Sequence, residues 1–236
     1  LNEFPYVNGK LFEERIRNAA FNKKLRDQLL VCCSFDWSVI SPAIFGSLFQ
    51  YVMDPKKRRN LGAHYTDEEN IMKVIGPLFL DELQSELDSA LKAKRNRNSQ
   101  LEELHKRIAN IRILDPACGC GNFLVITYRE LRKIELEILK ALHSKELKGR
   151  RSLFDIGHMI ELDVDQFYGL EVEEFSAKIA EVSLWLMDHQ MNNRVAEEFG
   201  RHFARIPLKA SASIFHGNAL RIDWNEVLNA DKCSYV

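Results

Sequence analysis

Apolar residues recur at helical spacing from Leu11 to Leu30 (Leu11, Ile16, Ala19, Ala20, Leu25, Leu29, Leu30), with charges between them, which predicts a helix over residues 11–33. "SPAIFGSLFQYVM" predicts a second helix, with Ser41 as N-cap and Pro42 at its first position. It must stop before Asp54-Pro55, because the residue before proline avoids helical geometry. Residues 1–60 thus read as a helical spacer or arm, and residues 61–236 as a second unit. That unit opens with "LGAHYTDEENIMKVI", where Thr66 and Glu69 form a capping box and the acidic first turn suits the helix dipole. Gly76-Pro77 is expected to break this helix. A further helix runs through "LFLDELQSELDSALKA", "RNRNSQ" reads as a loop, and "LEELHKRI" as a short helix.

From Ile111 the period changes. "IRIL" is a short β-branched run ending at Asp115, and residues 122–142 return to helical spacing. "FYGLEV" (167–172) predicts a second strand, followed by the helix "EEFSAKIAEVSLWLMDHQM", whose apolar stripe is core. "ASIFHGNAL" carries a third strand and "KCSYV" begins a fourth. Strands alternating with helices indicate an α/β fold, a partial doubly wound, Rossmann-like parallel sheet behind an N-terminal helical segment. The stretch 143–162 exceeds what one helix-to-strand connection needs and reads as an insertion.

Charge changes this picture little. A formal net charge of −1 argues against a freestanding polyanion-binding domain, and local basic runs such as Lys56-Lys57-Arg58-Arg59 read as solvated faces. No apolar run reaches the roughly 18 residues of a membrane span, and the N-terminus carries no signal-like apolar stretch. The five cysteines are odd in number and lack zinc-ligand spacing, which points to reduced thiols, a cytoplasmic setting and no metal site. A first residue of Leu1 rather than Met suggests a longer parent protein.

The chemistry concentrates in "ILDPACGCGNFL", residues 113–124. A glycine turn between a strand and a helix lets a ligand approach the backbone and offers free N–H groups. The third glycine of a dinucleotide fingerprint is replaced by Leu124, and Asn122-Phe123 stands where a phosphate loop needs Lys-Ser/Thr. Asp115 would repel a diphosphate but attract an ammonium or sulfonium group. Glu171, at the next strand tip, suits two ribose hydroxyls, with Val172 as an apolar face for a base. Asn218, at the third tip, suits the edge of an adenine.

"DPACGCGNFL" closely resembles the first motif of the S-adenosylmethionine-dependent N6-adenine DNA methyltransferases. "LGAHYT" resembles the motif N-terminal to it, "YGLEV" the ribose-binding strand, and "GNAL" the adenine-contacting one. Together with the helical segment upstream, they are most similar to single-chain restriction–modification enzymes of the type IIL or IIG kind. The resemblance implies S-adenosylmethionine as cofactor, with Asp115, Ala117, Cys118, Gly119, Gly121, Asn122 and Phe123 around its methionine end. It further implies Glu171 on the ribose, Val172, Asn218 and Ala219 at the adenine, and Tyr65 with Thr66 closing the pocket opposite. It implies double-stranded DNA as the parent's partner and no membrane association.

Such enzymes act through an (Asn/Asp)-Pro-Pro-(Tyr/Phe) loop after the fourth strand, whose aromatic stacks the extruded base. Pro-Pro occurs nowhere in these 236 residues. The expectation is therefore a cofactor-binding part with no catalytic residue of its own, inactive in isolation, the motif lying beyond Val236. Methyltransferases of RNA or protein share related motifs, and a non-catalytic cofactor-binding or interaction module is the third alternative. A sheet cut at its fourth strand would also expose an edge prone to self-association.

Overall fold

The computed structural model describes residues 20–36, 40–52, 66–143, 159–199 and 212–236. Tyr65, the first part of the 11–33 stretch and most of the 143–162 insertion lie outside the described residues. Helix α1 (Lys23–Ser34) is capped by Asn22, whose side chain accepts from the Leu25 N–H at 2.9 Å, and none of its residues is buried. Helix α2 (Ile44–Val52) begins two residues later than Pro42 suggests, after a turn in which Ser41 O accepts from Ile44 N. The Ser41 hydroxyl is buried without a partner among the described residues, so it is no N-cap. Ala43 joins the main apolar core beside α2.

Helix α3 (Glu68–Ile75) is capped one residue later than expected, by Asp67, whose side chain accepts from Asn70 N at 2.8 Å. The Thr66–Glu69 capping box is thereby corrected: Asp67 brings its carboxylate to the positive end of the dipole and displaces the hydroxyl. Gly76-Pro77 does not break the path either. Gly76–Leu80 forms a π-helical turn in which the Asp81 N–H reaches back to Gly76 O, and α4 (Asp81–Lys92) follows directly. The widened turn accommodates a proline that has no N–H to give. "RNRNSQ" is a loop only as far as Asn96, which takes a left-handed φ of 57° and starts α5 (Arg97–Ala109).

Strand β1 (Ile113–Asp115) leads into α6 (Asn122–Leu142), with the bounds expected from its periodicity. Strand β2 (Phe167–Glu171), helix α7 (Glu174–Phe199), strand β3 (Ser213–His216) and a short α8 (Trp224–Val227) complete the order. The three strands are parallel in the order β1-β2-β3, with Asp115 level with Gly169 and Glu171 level with His216. Tyr235 forms a parallel bridge with Ile113 on the free side of β1, so the chain returns across the sheet. That return makes the carboxyl end of β1 a topological switch point, where open α/β sheets bind ligands.

Side chains alternate across the sheet. Ile113 and Phe167 join the large core beneath α6 and α7, while Leu114 and Leu170 pack with Val227 and Leu228 on the other face. Among the described residues no helix is long and apolar enough to cross a membrane.

The interface of α6 and α7 buries a polar network that the apolar stripes do not announce. Arg132 donates to Asp188 Oδ1 at 2.8 Å, to the Tyr128 hydroxyl at 2.6 Å and to Asn192 Oδ1 at 2.8 Å. Its Nε lies 3.0 Å from Glu135 Oε2. Glu135 Oε1 accepts from the Glu161 and Leu162 N–H groups and lies 3.0 Å from His105 Nε2. Breaking such a pair by removing one partner costs about 3–5 kcal/mol. Burial alone would push the Glu135 carboxyl up, but His105, Arg132 and the Leu162 N–H outweigh it and hold it below its ordinary 4.5. Its stabilising contribution is therefore complete above pH 4.5 and is lost as the pH falls through the lower folded value. Urea titrations from pH 7 downwards should show this loss, and Glu135→Gln should flatten that part of the curve while lowering stability at neutral pH.

Candidate functional site

The turn after β1 is built by two glycines with different tasks. Gly119 has φ +56°, and a Cβ placed on it would meet nothing within 4 Å, so its upper face is open. Gly121 has φ +81°, but a Cβ there would stand 2.9 Å from the Ala180 Cβ of α7. Gly119 thus leaves room for a ligand, whereas Gly121 lets α6 start against α7. Gly121 O accepts from Val125 N at 2.8 Å and opens the helix.

Strand β2 carries the turn. Cys118 N donates to Leu170 O at 3.0 Å, and Gly119 N donates to Glu171 Oε2 at 2.9 Å. The other Glu171 oxygen accepts from Glu173 N at 2.8 Å. Both carboxylate oxygens are therefore oriented before any ligand arrives. The Cys118 side chain packs over Gly169, where a Cβ would lie 2.7 Å from its sulfur. Gly169 and Ala180 escape motif-based reasoning; their only sequence signal is a small residue at a strand or helix position.

Asp115 Oδ1 accepts from Ala117 N at 3.0 Å, folding the Asp-Pro-Ala corner. Burial pushes the Asp115 carboxyl up, the Ala117 N–H opposes this, and the negative charge of Glu171 raises it again. A cationic ligand beside Asp115 would relieve that repulsion. The thiols of Cys118 and Cys120 are buried and free; burial first, then nearby carboxylates, push both up, Cys120 to about 11 despite a bond with Ser176. Both are neutral near pH 7. The Asn122 Oδ1 is buried without a partner among the described residues.

A cavity of about 230 Å³ opens beside this corner. Its walls are Val74, Ile75 and Leu78 from α3 and the π-turn, Asp115 and Pro116, Phe123 and Thr127 from α6, and Tyr235 with Val236. Thr66 is half-buried just ahead of α3. Asp115, Ala117, Cys118, Gly119 and Gly121 thus share one turn, Asn122 and Phe123 open α6 directly after it, and Glu171 reaches the turn directly.

The far end is more exposed. Gly217 N donates to Glu171 O at 2.8 Å, tying the tips of β2 and β3. Asn218 Oδ1 accepts from Leu220 N at 2.9 Å, so its side chain first builds its own turn. Ala219 is half-buried, and its carbonyl accepts from Trp224 Nε1 at 2.8 Å. Val172 is 49% exposed and Leu220, which motif reasoning passed over, is 92% exposed. Apolar side chains left in water past two adjacent strand tips suit a flat apolar ligand group.

Residues 91–235 match the family described as MmeI, DNA-methyltransferase domain. DNA methyltransferase A of Bacillus subtilis (strain 168) is 43% identical over 233 residues, covering 98% of this chain and 25% of that protein. The solved structure of the type IIL restriction-modification enzyme MmeI in complex with DNA is 58% identical, with a TM-score of 0.85. That match covers 98% of this chain and 30% of the other. The chain spans about a quarter of the length of its curated Bacillus relative.

Alanine at the two glycines separates their tasks. Each substitution carries about 1–2 kcal/mol of left-handed strain, and Gly121→Ala adds about 1–3 kcal/mol of overpacking against Ala180. Urea midpoints should fall further for Gly121→Ala than for Gly119→Ala; equal losses would contradict the open face at Gly119.

Proposed function

The chain belongs to the MmeI DNA-methyltransferase domain family, to which a methyl donor goes, and on that premise we propose that the turn after β1 binds S-adenosylmethionine. The carrying observation is the Gly119 turn, open above and flanked by two carboxylates at successive strand tips. These residues fit the cofactor's parts. Asp115 and the bare backbone at Gly119 suit a cationic amino-acid end, and Thr66, just ahead of α3, would close the pocket from the other side. Glu171, pre-oriented by the Gly119 and Glu173 amides, keeps acceptor capacity for the ribose hydroxyls. Val172, Leu220, Ala219 and Asn218 suit the base.

When bound, the cofactor supplies an electrophilic sulfonium methyl. The chain's own contribution is orientation: carboxylates already fixed by backbone N–H groups, which need no rearrangement on binding. We further propose that the parent is a restriction–modification enzyme that methylates DNA, as its relatives' names suggest, and, on the resemblance of its motifs, that the target is adenine N6 in double-stranded DNA. Residues 61–236 would supply the cofactor half of that methyltransferase unit, and residues 1–60 its helical spacer. The 236 residues contain no Pro-Pro, so the acceptor for the target amine must come from elsewhere in the parent, and this chain alone should not methylate DNA.

Thermal unfolding with S-adenosylmethionine, and with NAD as control, tests the binding reading. At a hundredfold excess over its Kd the ligand should stabilise by about 2.7 kcal/mol, a Tm rise of roughly 5–11 °C for a chain of this size. The rise should vanish in Asp115→Ala and Glu171→Ala. Cooperative unfolding with no shift in the wild type would overturn the proposal.

A further inference from the structure

The two halves of the proposed site come from distant parts of the chain. Thr66 precedes α3, whereas the glycine turn opens α6. One ion pair joins the start of α3 to α6 across a separation of 61 residues. The Arg129 guanidinium meets the Glu68 carboxylate end-on, donating from Nη1 to Oε2 at 3.0 Å and from Nη2 to Oε1 at 2.5 Å. The fork is itself held: Arg129 Nε donates to Glu130 Oε1 at 2.7 Å, and Lys133 Nζ donates to the same oxygen at 2.9 Å. The Arg129 side chain is only 13% exposed, which confines the fork to one direction. Its bond holds the Glu68 carboxyl below the ordinary value, against the opposing effect of burial.

Glu68 is two residues from Thr66, and Arg129 lies two helical turns beyond the glycine turn. Further along, Ile75 and Leu78 share the lining of the cavity with Phe123, Thr127 and Asp115. Ile71 and Ile75 hold α3 in the core by apolar contacts, which carry no direction of their own. A bidentate pair supplies direction as well as attraction. Its neighbour Glu69 pairs with Lys73 at 2.7 Å within α3 and does not reach α6, so it offers a control of similar charge and position.

We propose that Glu68 and Arg129 are positioning residues that set Thr66 against the glycine turn and thereby raise affinity for S-adenosylmethionine; this rests on the function proposed above. The pair's effect is on geometry rather than on global stability, since half-exposed pairs are worth about 0–1 kcal/mol.

Calorimetric titration of the full 236-residue chain with S-adenosylmethionine tests this, alongside thermal unfolding without ligand. Glu68→Gln and Arg129→Gln should each weaken binding roughly tenfold, the scale expected of a displaced binding group. The double variant should lose no more than either single one, because the two residues act as one unit. Arg129→Lys keeps the charge but not the fork and should bind as weakly as Arg129→Gln. Glu69→Gln should bind like the wild type, and ligand-free Tm values should all stay within about 4 °C. Wild-type affinity in the single variants, additive losses in the double one, or an equal loss in Glu69→Gln would overturn the positioning role alone. A wild-type chain that binds no S-adenosylmethionine would overturn the proposed function and the positioning role with it.

Discussion

The seat of the glycine turn on β2 is the constraint from which the site follows. Cys118 N on Leu170 O and Gly119 N on Glu171 Oε2 fix the turn over a strand that is 52 residues away at the second contact. The missing side chain at Gly169 lets the Cys118 sulfur sit down into the sheet. With the turn seated, Asp115 and Glu171 face the same opening, and the backbone between them is bare. Without that seat the turn would be a loop with glycines in it. Seated, it is a preformed surface with two directed carboxylates.

The rest of the fold holds that surface in place. Parallel pairing puts Asp115 and Glu171 at the carboxyl ends of neighbouring strands, and the return of the chain at Tyr235 opens the crevice beside β1. Behind it, α6 and α7 are locked by the Arg132, Asp188, Asn192 and Glu135 network rather than by apolar contact alone. Gln166 adds a third tie, donating to Ile108 O, Ala109 O and Ile111 O at the end of α5, just before β2 begins. Polar groups so deeply buried specify one arrangement of helices, because any slip would strand a charge.

Much of this was legible beforehand. The bounds of α6 could be read because a glycine turn and an unbroken apolar period mark both ends. The strands could be read because short apolar runs end at acidic or asparagine corners. The failures share a physical cause: local rules with more than one solution. Gly76-Pro77 reads as a break, yet a π-turn absorbs it. Thr66 and Asp67 are both good caps, and the carboxylate won. Asn96 starts a helix from a left-handed conformation that asparagine tolerates, inside a stretch polar enough to pass for a loop. Asp188 sits within the apolar stripe of α7, and the stripe gives no sign that Arg132 lies against it. Tertiary contacts between distant residues settle such cases, and periodicity carries no record of them.

The central claim is that the open turn and its two carboxylates cradle S-adenosylmethionine in one orientation. A crystal structure of this chain grown with the cofactor tests it most directly. The account predicts the amino-acid end beside Asp115 and Gly119, with the ribose hydroxyls within hydrogen-bond distance of Glu171. Cofactor bound in the reverse orientation, or elsewhere on the protein with the turn untouched, would contradict it.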